Sequence, residues 1–135
     1  MHDCSGTWDG LFSYPRRYDP TSFVAELRQA SEWLTGSTQE TAQRGLYAGS
    51  MVTANLMGKI AGRNITLLKT YDRPDAAHDA VRYIGELNEA GTEIDGTWVN
   101  NSWSGRFLMI RARKRHTQRS DAELSRLLVA ARSAR

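Results

Sequence analysis

Apolar and polar residues alternate along most of this chain, most clearly over residues 81–112, VRYIGELNEAGTEIDGTWVNNSWSGRFLMIRA. Val81, Tyr83, Gly85 and Leu87 share one side of a two-residue period, and Arg82, Ile84 and Glu86 the other. That is the pattern of a strand with one face in a core. Asn88-Glu89-Ala90-Gly91 has the make-up of a hairpin loop, with Gly placed for a positive φ. Residues 92–99 and 103–112 repeat the alternation on either side of Asn100-Asn101-Ser102, so the stretch predicts three consecutive antiparallel strands.

The same period recurs earlier. Gly6-Thr7-Trp8 opens a strand running to about Tyr14, and residues 15–20, with Pro15 and Pro20 at their ends, form a stiff exposed connection. Residues 22–28 place Phe23, Ala25 and Leu27 on one face. Residues 32–41 set Leu34, Gly36, Thr38 and Glu40 against Trp33, Thr35, Ser37 and Gln39. Residues 46–59 are the hardest to read, and Met51 to Leu56 suit a strand better than a helical turn. Ala61-Gly62-Arg63-Asn64 is a turn, and residues 65–71 put Ile65, Leu67, Lys69 and Tyr71 on one face. A polar loop carrying Pro74 leads back to residue 81.

Eight short strands with almost no helix between them predict a sandwich or an up-and-down barrel. Short connections between successive strands, and glycines inside strands at Gly36, Gly85 and Gly96, favour the barrel. After Arg115 the period changes. Ser120 and Glu123 form a capping box, and Leu124, Leu127, Leu128 and Ala131 fall on one helical face. The expected fold is all-β: an eight-stranded antiparallel up-and-down barrel over residues 1–115. A basic linker and a C-terminal amphipathic helix, residues 116–135, pack on it, with a partner as the alternative dock for the helix.

Composition narrows the setting. The 135 residues suffice for one domain with a core. No apolar run approaches the ~20 residues of a membrane-spanning helix, and MHDCSGTW has no signal-segment pattern. One cysteine, Cys4, excludes an internal disulfide. The expectation is a cytoplasmic protein without a membrane partner. The net charge of +3 is uneven: residues 111–135 hold eight Lys/Arg against Asp121 and Glu123, and the remainder is −3. Charge blocks of this kind are more often solvating than recognising, so nucleic acid is not the expected partner.

Gly6-Thr7-Trp8 on the first strand, eight strands in order and a closing helix resemble the calycin superfamily of lipocalins, avidins and fatty-acid-binding proteins. In lipocalins a Gly-x-Trp begins the first strand and an Arg near the end of the last packs over that Trp. The resemblance therefore implies that Trp8 neighbours Arg111 or Arg113. SGTWDGLFSY and LTGSTQE are similar to the opening strands of avidins. Gly10 stands where avidins have Asn and Tyr14 where they have Ser, so biotin is not implied.

No catalytic arrangement emerges, since His2, His78 and His116 sit away from any Ser or Cys on a strand. Met1-His2-Asp3-Cys4 supplies too few ligands for a closed metal site, no glycine-rich phosphate loop is present, and no cofactor is expected. Alternation turns Tyr83, Ile94, Gly96, Trp98, Phe107, Met109 and Arg111 inward. Three ionisable groups, Glu40, Lys69 and Arg111, then share inner faces, and buried charges need partners. One reading pairs Glu40 with Lys69 or Arg111 and lays Arg111 over Trp8, making Trp8 and Glu40 structural. The other leaves a cation for a ligand. In that reading Tyr71, Tyr83, Trp98, Phe107 and Met109 form the wall, Lys69 and Arg111 orient an anionic, partly apolar molecule, Gly36, Gly85 and Gly96 leave room, and residues 15–20 are the lid. The leading expectation is a small-molecule-binding barrel. The alternatives are an interaction or scaffold domain with a filled barrel and a basic tail contacting protein or nucleic acid, and an enzyme acting at the barrel mouth.

Overall fold

Eight runs of alternating burial become eight strands: β1 (Gly6–Phe12), β2 (Thr21–Ala30), β3 (Trp33–Thr41), β4 (Met51–Ala61), β5 (Asn64–Tyr71), β6 (Val81–Leu87), β7 (Glu93–Asn100) and β8 (Trp103–Arg111). The computed structural model describes residues 3–15, 19–43, 45–73, 79–101 and 103–112, together with 123, 124, 126, 128 and 129. Each strand pairs antiparallel with the next, and β1 pairs with β8 from Trp8↔Arg111 to Phe12↔Phe107. The sheet is therefore closed and up-and-down, which removes every free strand edge. In the stretch hardest to read, residues 46–49 form a turn and strand begins at Met51, where Val52, Ala54 and Leu56 start to alternate inward. β1 stops at Phe12, short of the expected Tyr14. Pro15 constrains the residue before it, and the Tyr14 ring turns into an aromatic group with Phe12, Trp98 and Trp103.

The two ends of the barrel differ. At the tight end the connections are residues 31–32, 62–63 and 88–92. Gly62 (φ 63°) and Gly91 (φ 74°) take the left-handed conformation that these turns demand. The Asn88 carboxamide oxygen accepts from the backbone N–H of Thr92 (2.8 Å) and Glu93 (3.1 Å), fixing the third turn. At the loop end the connections are longer: residues 13–20, 42–50 and 72–80, with a short one at 101–102.

The tight end is plugged by Trp8, 0 % exposed, whose indole N–H donates to the Cys4 carbonyl at 2.9 Å. The Arg111 guanidinium carbon lies 4.4 Å from the Trp8 ring centroid. Its nitrogens donate to the carbonyls of Gly91 (3.0 Å), Ser5 (2.9 Å) and Asp3 (2.7 Å). One side chain thus ties the N-terminal segment to the 88–92 turn across the closing seam. Arg113, the other candidate neighbour, lies outside the described residues.

The interior is occupied by side chains. From Trp8 through Leu27, Leu56, Ile65, Leu67, Ile94 and Met109 to Phe12, Tyr71 and Trp98, inward-facing side chains form one buried cluster. The glycines expected to leave room do not. A Cβ on Gly85 would lie 2.7 Å from the Phe107 ring, and one on Gly96 or Gly36 would meet a neighbouring strand's carbonyl at 2.0 Å. They are glycines of close approach, Gly85 to the Phe107 ring and Gly36 and Gly96 to the backbone of the adjoining strand. Outside the barrel, Leu11, Leu108 and Ile110 of the β1–β8 wall are buried together with Leu124 and Leu128. Of the segment after residue 112, only Glu123, Leu124, Arg126, Leu128 and Val129 are described, and they carry helical backbone. Ser120, Leu127 and Ala131 of the expected helix lie outside the described residues.

Removing the plug should be costly. Trp8→Ala is expected to lower stability by about 3–5 kcal/mol, as truncation of buried Trp does. Urea unfolding followed by far-ultraviolet circular dichroism checks it, and an unchanged midpoint would mean that Trp8 does not hold the tight end.

Candidate functional site

Inward-facing residues of five strands converge beneath the loop end. Alternation along β5 turns Leu67, Lys69 and Tyr71 into the barrel, and Glu40 near the end of β3 faces them. Lys69 Nζ donates to Glu40 Oε1 at 2.5 Å, with Lys69 1 % and Glu40 5 % exposed. The Tyr71 hydroxyl donates across both carboxylate oxygens, at 3.1 and 3.2 Å. Around the ammonium stand four rings, with centroids at 4.7 Å (Tyr71), 4.8 Å (Phe12), 5.3 Å (Phe23) and 5.8 Å (Tyr83). An ammonium in a desolvated aromatic box gains about 2 kcal/mol or more from the ring quadrupoles, and the carboxylate neutralises its charge.

Electrostatics follow from this enclosure. Burial pulls the Lys69 ammonium toward deprotonation, but the Glu40 carboxylate beside it, with help from Tyr71, outweighs that and holds its pKa above the ordinary 10.5. Burial drives the Tyr71 hydroxyl far above its ordinary 10.0, against the pull of Lys69, with the Glu40 charge adding to the rise. Burial and then Glu40 do the same to Tyr83. Both phenols are neutral at physiological pH, and the Tyr71 hydroxyl is held on Glu40.

The residues expected to line a ligand site divide between the two ends. Lys69, Tyr71 and Tyr83 meet at the box. Trp98 adjoins it through Phe12, with ring centroids 6.1 Å apart, and its indole N–H donates to the Ser13 carbonyl at 2.8 Å. Phe107 stands edge-on to Tyr83 at 4.9 Å, and Met109 is buried in the same core. Arg111 is at the tight end, spent on Trp8 and three carbonyls, and does not join Lys69. Phe12 and Phe23 complete the box and were not among the expected wall. Their signal was present: Phe23 shares an inward face with Ala25 and Leu27, and β1 must lie beside β2.

Chemically, the box is self-contained. Glu40 and four ring faces surround Lys69, and Glu40 accepts from two donors. A surface depression of about 110 Å³ borders the group through Ser22, Val24, Gln39, Glu40, Thr41, Gln43 and Met51. That is well below the ~300–1,000 Å³ of small-molecule sites. Among the described residues no group of three or more His, Cys, Asp or Glu is arranged to hold a metal ion. Cys4 is buried and its thiol is pushed up by that burial, the state of an unreactive cysteine. His2, His78 and His116, and Arg16 to Tyr18 of the expected lid, lie outside the described residues.

In comparisons with known proteins, no family model, curated protein or solved structure matches this chain. The closed eight-stranded barrel is compatible with the calycin architecture, and the likeness rests on that architecture.

Two outcomes follow. Glu40→Gln, which strands a buried ammonium, should cost about 3–5 kcal/mol, whereas Lys69→Met combined with Glu40→Leu should cost far less. Urea denaturation of the two variants beside the unsubstituted protein checks this, and equal losses would mean that the stranded charge is not what makes Glu40→Gln costly. The second concerns alkali. Lys69, Tyr71 and Tyr83 all keep their protons to higher pH folded than unfolded. Their contribution is complete below the unfolded values of 10.0–10.5 and is lost as pH rises from there toward the folded values. The melting temperature should hold between pH 7 and 9 and fall steeply above pH 10, less steeply in Tyr83→Phe. A flat profile to pH 11 would show these groups to be hydrated.

Proposed function

We propose that this chain is an interaction domain: a filled calycin-like barrel whose recognition surfaces lie on its outside, with the basic tail as an accessory contact. The observation that carries this reading is the enclosure of Lys69. Of the two cations expected to orient a ligand, Lys69 is neutralised by Glu40 and boxed by four rings, and Arg111 is consumed in closing the tight end. A barrel of eight strands is just wide enough to be filled in this way. In this reading residues 1–115 are the barrel. Residues 116–135 are a basic linker and an amphipathic helix docked in cis on the β1–β8 wall, which the burial of Leu124 and Leu128 with Leu11, Leu108 and Ile110 supports. The setting is cytoplasmic and the partner is a protein.

A second reading, a binding barrel for an anionic, partly apolar molecule, is favoured by one observation. Buried ion pairs are seldom the most stable filling of a core, and this one lies beneath the longer connections. The ligand's carboxylate would then have to take the place of Glu40 on Lys69, with Tyr71, Tyr83 and Trp98 around it.

Native mass spectrometry of freshly purified protein, followed by thermal shift against straight-chain carboxylates, separates the two. The interaction reading expects the mass of the bare chain and no shift. A stoichiometric co-purified molecule, or a melting-temperature rise abolished by Lys69→Met, would establish the ligand reading instead.

A further inference from the structure

The outer wall of the barrel is finished in two different ways. Across β1 and β8, Leu11, Leu108 and Ile110 are buried with Leu124 and Leu128. Across β3 to β7 they stand in solvent: Trp33 (55 % exposed), Met57 (68 %), Leu68 (41 %), Ile84 (48 %) and Val99 (43 %). Strand register makes these five one band. Met57 is directly opposite Leu68. Trp33 is opposite Lys59, two residues from Met57 along β4. Ile84 is opposite Thr66, two residues from Leu68 along β5, and Val99 is opposite Arg82, two residues from Ile84 along β6. Direct neighbours in a sheet are ~5 Å apart and diagonal ones ~7–8 Å, so the band is continuous. Apolar patches of this kind on a folded domain mark interaction sites.

The charges within the band have one sign. Lys59 and Arg82 are exposed, and among the described residues neither pairs with a carboxylate; Lys59 lies 5.3 Å from the Trp33 ring centroid. Acids stand at its margins: exposed Glu32 precedes Trp33, and toward the tight end Glu86 and Asp95 face Arg63 (3.9 Å) and Arg106 (3.3 Å).

We infer that this band docks an acidic amphipathic segment of a partner protein, one apolar stripe flanked by Asp or Glu. The inference rests on the interaction-domain reading and names the surface and the partner's chemistry. Complementarity selects that occupant. A second copy of the chain, related by a twofold axis, would set Lys59 and Arg82 against their own equivalents. A lipid bilayer is flat, whereas the band winds around the convex flank of the barrel from Trp33 at the tight end to Val99 near the loop end, which offers a membrane only a narrow line of contact. β3 and β7 stand half a turn of the barrel apart, so a helical segment covers the centre of the band. There Met57, Leu68 and Ile84 on three successive strands span about 10 Å, the length of about two helical turns.

The test is selection of a phage-displayed random 16-residue peptide library on the intact protein. Two wall variants accompany it, Met57→Ser with Ile84→Ser, and Lys59→Glu with Arg82→Glu. All substitutions are at exposed positions, and unchanged melting temperatures confirm that the barrel is intact. The expected result is enrichment of peptides with Asp or Glu beside apolar residues at three- and four-residue spacing. Their affinity should fall at least tenfold with the serine pair, and the glutamate pair should turn the preference to Lys-flanked peptides. Peptides that bind equally to all three proteins would overturn this surface while leaving the interaction reading standing. No enrichment, together with a co-purified small molecule, would remove that reading as well. Wall-dependent binding to phosphatidylserine vesicles, or a dimer in sedimentation abolished by the serine pair, would replace the peptide with a membrane or a second copy.

Discussion

Closure of the sheet is the constraint on which the rest of this structure depends. Pairing β1 with β8 fixes the strand number and with it the width of the interior, and an interior of fixed width has to be filled or left as a cavity. Here rings and glycines divide the interior between them. Phe107 occupies the space that a side chain at Gly85 would claim, and the Phe23 ring lies where a Cβ on Gly10 would be, 2.1 Å away. The seam itself is made secure by Arg111, whose single guanidinium joins Trp8, the N-terminal segment and the 88–92 turn. Losing any one of these contacts weakens the closure that defines the interior for all the others.

Within that enclosure the Lys69–Glu40 pair is the energetically exposed feature. Each charge alone would be intolerable at 1–5 % exposure. Together, with a Tyr71 hydroxyl on the carboxylate and aromatic faces on the ammonium, they are compensated, though an apolar filling would serve stability as well or better. The pair specifies a geometry that leucines would not. Lys69, Glu40 and Tyr71 can be satisfied together only when β3 and β5 stand in one register on either side of β4. The observed pairings of Glu40 with Val52 and of Ala54 with Tyr71 provide it.

Much of this was legible in the sequence, and the part that was not has a physical reason. Two-residue alternation located all eight strands and turned Tyr83, Ile94, Trp98, Phe107 and Met109 inward, because a half-buried strand admits no other pattern. Strand direction was also available. In an up-and-down barrel odd and even strands run oppositely, so Lys69 near the end of β5 and Arg111 at the end of β8 must lie at opposite ends. Counting faces alone put both in one site. What alternation cannot report is whether the space above an inward glycine is empty. That depends on where a ring from another strand points, as Phe23 does toward Gly10 and Phe107 toward Gly85, and no local period encodes it. The same holds for Phe12 and Phe23 in the aromatic box, which become neighbours of Lys69 only after the sheet curls.

The outer wall shows the complementary case, since its meaning was hidden until the inside was accounted for. Trp33, Met57, Leu68 and Ile84 occupy outward positions of ordinary alternating strands, and scattered exposed apolar residues are normal on any protein. Register gathers them into a band, and the enclosure of Lys69 changes their weight. A barrel with an open cavity would direct attention to its mouth, and the wall would then be mere surface. With Lys69 and Arg111 committed to internal partners and the β1–β8 wall packed with Leu124 and Leu128, the exposed Lys59 and Arg82 stand beside apolar neighbours on a rigid support. Rigidity matters here, because a partner that docks on a closed sheet does not have to order it first. The ion pair inside and the band outside are thus linked through the one closed sheet whose two faces carry them.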